Sequence, residues 1–320
     1  MDGSAIGPIL FLVFCVLLPL AAGYLVRRQG WLDPRWSRPI LTASIAAGAT
    51  LLVWLATWGV RIEPGLKFLP VIGALLTVTM LLVGAAVSPW LLPDRRSRAS
   101  FAFATSLSNM GYSLGGIVVY ALLGEQGYAQ SIIFLIYWSP LVFGLYFPLA
   151  RMVGRDRLAF RWRDFLGIFR DVRSLPLLGL TVGLTLNLTG VSRPAAFGQV
   201  ISVVFVLAST TTMFAVGLSL VLERLGHYTR SYAVISLLKF AVAPLVAVGL
   251  VTVFDRLFGM SRTSRQVVLI LSACPVAVYS VVISTFFDLD VDLANSLWVV
   301  TTVVFLIVVL PALVLLVPLL

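Results

Sequence analysis

Ser106-Leu107-Ser108-Asn109-Met110-Gly111-Tyr112-Ser113-Leu114-Gly115-Gly116 is a polar interruption inside a long apolar run, and Ser272-Ala273-Cys274-Pro275-Val276-Ala277-Val278-Tyr279-Ser280 is a second one. The first sets an Asn, three Ser and three Gly in the middle of a segment that otherwise reads as a membrane helix. Glycine lowers helix preference there. The second carries Pro275, which has no backbone donor and clashes with the turn before it. Non-helical backbone at membrane depth persists only where protein or water satisfies it. Two interrupted helices in matching positions of two halves point to a substrate site. Simple kinking and close helix packing would use the same small residues.

The rest of the chain makes the membrane reading firm. It has 320 residues, of which 60% are hydrophobic and only 11% charged. Soluble domains carry about 25% charged residues, so this chain lacks the polar surface a soluble enzyme needs. Disorder is excluded by the same hydrophobicity. A spanning helix takes roughly 20 apolar residues, and the apolar runs read as ten spans at about 8–26, 39–60, 68–92, 99–123, 130–151, 175–190, 199–222, 231–254, 266–287 and 293–318. The interruptions fall in spans 4 and 9. Cys15 and Cys274 lie in apolar runs far apart, as buried thiols would, and His227 is the one histidine. That composition disfavours a zinc site or a histidine-based triad.

Loop charge sets an orientation. Sixteen arginines lie on one side of the alternation: Arg27, Arg28, Arg35, Arg38, Arg95, Arg96, Arg98, seven from Arg151 to Arg173, Arg224 and Arg230. Six cations, Arg61, Lys67, Arg193, Arg256, Arg262 and Arg265, lie on the other. Cytoplasmic loops carry the excess of Lys and Arg, so both termini are expected outside the cytoplasm of a multi-pass cell (inner) membrane protein. The loop from Gly154 to Ser174 is the longest and is amphipathic, with Phe160, Trp162, Phe165, Ile168 and Phe169 among arginines. It reads as a surface-lying segment.

That loop divides the chain into residues 1–153, a five-span half, and 175–320, a second five-span half, with 154–174 as the basic cytoplasmic connection. An odd number of spans per half inverts the second relative to the first, as in secondary transporters. Arg98, Tyr112 and Ser113 recur as Arg265, Tyr279 and Ser280 at one offset of 167 residues. The expected fold is therefore an all-α polytopic membrane protein, ten transmembrane helices in two inverted five-helix repeats, with helices 4 and 9 broken.

The residues resemble the auxin efflux carrier family of secondary transporters, which is related to the bile acid:sodium symporters. The resemblance covers essentially the whole chain. It rests on Asn109-Met110-Gly111-Tyr112-Ser113-Leu114-Gly115, Leu123-Gly124-Glu125-Gln126-Gly127, the Gly-rich span from Gly179 to Pro194, Ala215-Val216-Gly217-Leu218-Ser219-Leu220, Lys239 with Pro244, and Cys274-Pro275-Val276-Ala277. It implies broken helices 4 and 9 crossing near mid-membrane, a binding site at the crossing with Asn109 and Pro275, and a homodimer. Two departures stand out. The family's proline after the span 4 glycine is replaced here by Gly115-Gly116-Ile117, and its Asn and Pro of span 2 by Ala46-Ala47-Gly48. Span 4 is expected to break through glycine alone.

All thirteen acidic residues sit in loops or at span ends, unlike the carboxylate relays of proton pumps. The acidic sodium ligand of the bile-acid symporters has no counterpart near Pro275. A uniporter or exporter of small organic anions is the simplest reading, with a sodium-coupled organic-anion symporter as the alternative. A membrane enzyme lacks a positioned base. A receptor or scaffold would have no need of polar crossing points. The expected substrate site comprises Asn109, Gly111, Tyr112, Ser113, Pro275, Tyr279 and Ser280, with Lys239 and Asn187. Lys239, the one formal charge inside a span, would hold an anion or else snorkel or bond carbonyls at the broken helices. Asn187 would bond a neighbouring helix or touch substrate. Of the four hydroxyls at Ser209-Thr210-Thr211-Thr212, most are expected to bond their own backbone. Trp54, Trp90 and Trp138 read as interface anchors. No cofactor or metal is implied. The expected partners are a small organic anion, the lipid bilayer and a second copy of the chain, and no nucleic acid.

Overall fold

The computed structural model describes residues 6–63, 65–112, 114–154, 175–220 and 228–317. Ser113, His227 and the amphipathic stretch 155–174 lie outside the described residues. Among those described the secondary structure is helical, and the only bridge of strand type joins Ser108 to Val276. Among the described residues seven helices are long and apolar enough to cross a membrane: α1 Gly7–Arg28, α2 Pro34–Trp58, α3 Leu66–Leu91, α5 Gly115–Val153, α7 Phe197–Ser219, α8 Thr229–Phe258 and α11 Val291–Leu316. Between them stand the shorter α4 Arg95–Ser106, α6 Leu175–Leu188, α9 Arg262–Ser272 and α10 Val278–Phe286. At 39 residues α5 is far longer than one crossing requires. Gly124, at φ 67 and ψ −160, breaks it into two runs. Only glycine adopts that backbone without strain.

Proline writes a second local rule into these helices. Among the described residues, four of the five widened, π-type turns end two residues before a proline: Val13–Leu17 before Pro19, Val142–Tyr146 before Pro148, Leu238–Val242 before Pro244 and Phe305–Val309 before Pro311. A proline ring clashes with the carbonyl four residues back and offers it no N–H. Widening the preceding turn moves that carbonyl aside while the helix continues. Helix starts follow familiar capping chemistry. Asp94 accepts from Arg96 N (2.9 Å) and Ser97 N (3.1 Å), bonds that hold its carboxyl below the usual carboxylate range, the Ser97 bond most. Ser261 caps α9 through Ser264 N, and Asp290 caps α11 through Leu293 N.

The helices form two compact units, and each draws on both halves of the sequence. The first holds residues up to Ile62, Gly111–Ile132 and the stretch ending at Leu220; the second holds Glu63–Met110, the stretch starting at Ile133, and the remainder from Val221. In the first unit the main pairs are α1 with α7 and α2 with α6. Glycine makes both possible. A Cβ on Gly23 would collide with Phe214 O and one on Gly217 with Leu20 O, while one on Gly179 would sit 2.6 Å from Thr50 O. Such close backbone approach is how helices gain packing energy without a hydrophobic drive between them. Ser209 Oγ bonds Phe205 O, four residues back (2.6 Å), as expected of that hydroxyl run, whereas Thr212 bonds Ser44 (2.8 Å) on α2. The second unit packs around Leu81, Phe103, Leu107, Tyr146, Ile283 and Phe287.

Candidate functional site

The two interruptions meet inside the second unit. Helix α4 stops at Ser106 and α9 at Ser272, and the extended residues that follow pair antiparallel. Asn109 N donates to Pro275 O (2.7 Å), and Ala277 N donates to Leu107 O (2.9 Å). The pairing continues along α4 and α10 as side-chain bonds, Ser100 to Ser284 (3.1 Å) and Arg96 to Asp288 (3.2 Å). The partners 109 and 275, 107 and 277, 100 and 284, and 96 and 288 keep one antiparallel register from the crossing to the helix end. Val276 N is taken by Thr301 Oγ1 of α11 (3.2 Å). Peptide groups freed by the two breaks are thus bonded to each other and to α11 within the one chain, as backbone in a membrane interior must be.

This arrangement revises how span 4 breaks. Its helix ends at Ser106, ahead of every glycine in the stretch, and Gly111 does not take a left-handed backbone. The cross-bonds to Pro275 and Ala277 hold the extended segment, with the hydroxyls of Thr105 and Ser106 returning to the carbonyls of Phe101 (2.8 Å) and Ala102 (3.1 Å). Glycine alone is not the cause. In span 9, by contrast, α9 ends at Ser272, three residues ahead of Pro275, which lacks the N–H a continuing helix would need.

Lys239 enters the crossing from α8. It lies in the widened turn ahead of Pro244 and is fully buried. Its Nζ donates to Thr105 O (3.2 Å) and to Ser108 Oγ. Thr105 belongs to the last turn of α4, whose carbonyls have no partner within the helix and carry the negative end of the helix dipole. Cys274, the residue before Pro275, is buried, and its thiol donates to Ile270 O.

The structure therefore brings Asn109, Pro275 and Lys239 together. Asn109 is half-buried in an otherwise buried stretch. Tyr279 and Ser280 follow in the first turn of α10. Tyr279 is half-buried and edge-on to Trp138 (5.8 Å between ring centres), while Ser280 is buried with its hydroxyl on Ala277 O (2.8 Å). Gly111 and Tyr112 belong to the first unit. Asn187 does too, and its Nδ2 donates to Trp58 O (2.7 Å) and Val60 O (2.9 Å), the helix-bonding alternative. It joins a polar clasp at the end of α2. There Arg193 bonds Leu55 O (2.7 Å) and pairs with Glu125, and Gln126 donates to Gly59 O (3.0 Å). Ser108, Thr105 and Thr301 were not singled out from sequence. Their hydroxyls and carbonyls gain meaning only from the partner each meets across the fold. Among the described residues no cluster of three or more His, Cys, Asp or Glu could hold a metal ion.

A helical membrane chain with this crossing has recognisable relatives. Residues 165–313 match the model of a family described as membrane transport protein. The chain is 22% identical over 298 residues to an uncharacterized transporter of Methanothermobacter thermautotrophicus, covering 92% of this chain and 94% of that one. It is 26% identical over 203 residues to an uncharacterized transporter of Methanocaldococcus jannaschii, covering 61% of each. The class so defined is a multi-span membrane transport protein. Within it, the resemblance to the auxin efflux carrier family is borne out.

Proposed function

We propose that this protein is a secondary carrier of small organic anions, carboxylates in particular, that works by alternating access as a uniporter or exporter. The observation that carries the reading is the cross-bonded pair of helix breaks at Leu107–Asn109 and Pro275–Ala277. Such discontinuous helices supply polar backbone and helix ends where a substrate can be bound and released. Counting α4 with the run 115–123 and α9 with α10 as one interrupted span each gives ten spans. The starts of α4 and α9 at Arg95 and Arg262 repeat the 167-residue offset, which supports two inverted repeats. The arginine asymmetry supports a cell-membrane topology with both termini outside, and the family resemblance supports a homodimer.

In this reading the half-buried Asn109 amide and the N-terminal turn of α10, with Tyr279 beside it, hold the carboxylate. A helix N-terminus favours negative charge, and Lys239 keeps the surroundings positive. Asn187 serves the clasp rather than the substrate. The test is uptake of labelled mono- and dicarboxylates by proteoliposomes holding wild type or Asn109→Ala, with and without sodium. A hydrogen bond to a charged group is worth about 1.5–3 kcal/mol, so the variant should lose about tenfold or more in uptake while purifying as folded protein. Wild-type uptake by Asn109→Ala, or no carboxylate carried by the native protein, overturns the reading. Uptake that requires sodium would select the symporter alternative.

A further inference from the structure

A buried ammonium normally demands a carboxylate. Taking a charge out of water costs several kcal/mol unless the charge is paired and hydrogen-bonded. Lys239 is fully buried, yet among the described residues no carboxylate lies within ion-pair distance of it. What it meets is the carbonyl of Thr105 in the last turn of α4 and the hydroxyl of Ser108 in the extended break. A carbonyl at the end of a half-helix, joined by a hydroxyl in unwound chain, is the oxygen chemistry that binds a monovalent cation in broken-helix carriers. The lysine has three donors and no acceptor, and it carries a compact point charge on a flexible stem. The same oxygens that suit its ammonium suit a small cation.

We propose that Lys239 is a built-in cation of the crossing: its ammonium supplies, from within the chain, the positive charge that these oxygens would otherwise take from a bound monovalent ion. Proline chemistry helps to place it. Pro244 widens the turn Leu238–Val242, and that turn sets Lys239 against the end of α4. Lys239 is thus a positioning residue. It holds Thr105 and Ser108, and through them the segment whose Asn109 N–H bonds Pro275. With the cation covalently attached, the crossing is assembled in the absence of any ion gradient. The consequence for transport rests on the carrier reading above, whereas the structural claim is tested with no organic anion present, so the two fail separately.

The experiment measures thermal unfolding of the purified protein in choline, potassium, sodium or methylammonium chloride at equal ionic strength. Wild type should unfold at one temperature in all four. Lys239→Ala should unfold several degrees lower in choline and recover as methylammonium or sodium is raised, with a saturating dependence. Adding Ser108→Ala to that variant should weaken the recovery by removing an oxygen ligand. Lys239→Gln keeps polar donors without the charge and carries the same test if Lys239→Ala does not fold. The cation-specific recovery is the readout that a merely space-filling lysine would not produce. The proposal is overturned if the neutral variants match wild type in choline, if no small cation raises them above choline, or if sodium raises wild type as much as it raises the variants.

Discussion

Arg193 and Lys239 both place a cation on carbonyls in the last turn of a helix, α2 in one unit and α4 in the other. Around Arg193 the charge is cancelled. Glu125 pairs with it, Gln126 and Asn187 take Gly59 O, Trp58 O and Val60 O, and Trp58 Nε1 returns a bond to Val191 O (2.6 Å). Every donor in this clasp ties one piece of chain to another, and the net charge of the pair is zero. Around Lys239 a carbonyl and a hydroxyl solvate the charge without neutralising it. On the carrier reading proposed above, the difference separates a fastening from a working part. A neutral, many-fold bonded join resists change, whereas a crossing that keeps its positive charge suits an anionic substrate and offers bonds that can be exchanged.

If that contrast is right, damage to the clasp should appear in stability and damage to the crossing in transport. The largest stability loss is expected for Arg193→Ala, which strands Glu125 in a site where the two side chains are 17% and 24% exposed. Breaking a buried pair from one side costs about 3–5 kcal/mol, and this partial exposure puts the loss near about 2–3 kcal/mol. Denaturant unfolding measures it, and the double variant Arg193→Ala with Glu125→Ala should be less destabilised than the single one. Uptake per folded molecule should stay at the wild-type level, and a large loss there would erase the distinction between the two regions.

Ser108→Ala comes next. It removes one of the two acceptors of a buried ammonium, worth about 1.5–3 kcal/mol for a bond to a charged group. Here uptake should fall as well, more steeply than stability does. Gly124→Ala forces a side chain into a backbone conformation that costs about 1–3 kcal/mol. Lower stability with preserved uptake would assign this break to the framework. The smallest effect is expected for Ser284→Ala, about 1 kcal/mol, since it leaves buried Ser100 without its 3.1 Å partner. Amide exchange at Asn109 and Ala277 is the sensitive readout. Faster exchange there would show that the α4–α10 register supports the crossing from a distance.

The two breaks also differ in how far the sequence announced them. Pro275 has no N–H and cannot sit quietly inside a helix, so local chemistry places the span 9 interruption close to it, with α9 ending three residues ahead at Ser272. In span 4 the Asn-, Ser- and Gly-rich stretch marks the region but not the point. Leu107 is an ordinary helix former, and its carbonyl leaves the helix because Ala277 N–H is there to receive it. Lys239 was visible as a charge inside a span, with both of its readings open. Its acceptors are 134 and 131 residues away, and no pattern in the chain selects Thr105 and Ser108 over other carbonyls and hydroxyls. Asn187 was equally ambiguous until Trp58 O and Val60 O appeared within its reach.

By itself, then, the sequence determined what depends on near neighbours: a membrane-embedded helical chain, the approximate extent of its apolar helices, an interruption at Pro275, and a route to the widened turns before Pro19, Pro148, Pro244 and Pro311. Hydropathy, helical period and the missing donor of proline act over a few residues and can be read in order. The tertiary structure alone decided the antiparallel register of 107–109 with 275–277, the oxygens that receive Lys239, the Arg193–Glu125 clasp, and the gathering of both sequence halves into each compact unit. Those features join residues that are distant in the chain. They are chosen by which unsatisfied donor and acceptor the packed helices bring face to face, in an apolar interior where leaving either one unbonded costs several kcal/mol.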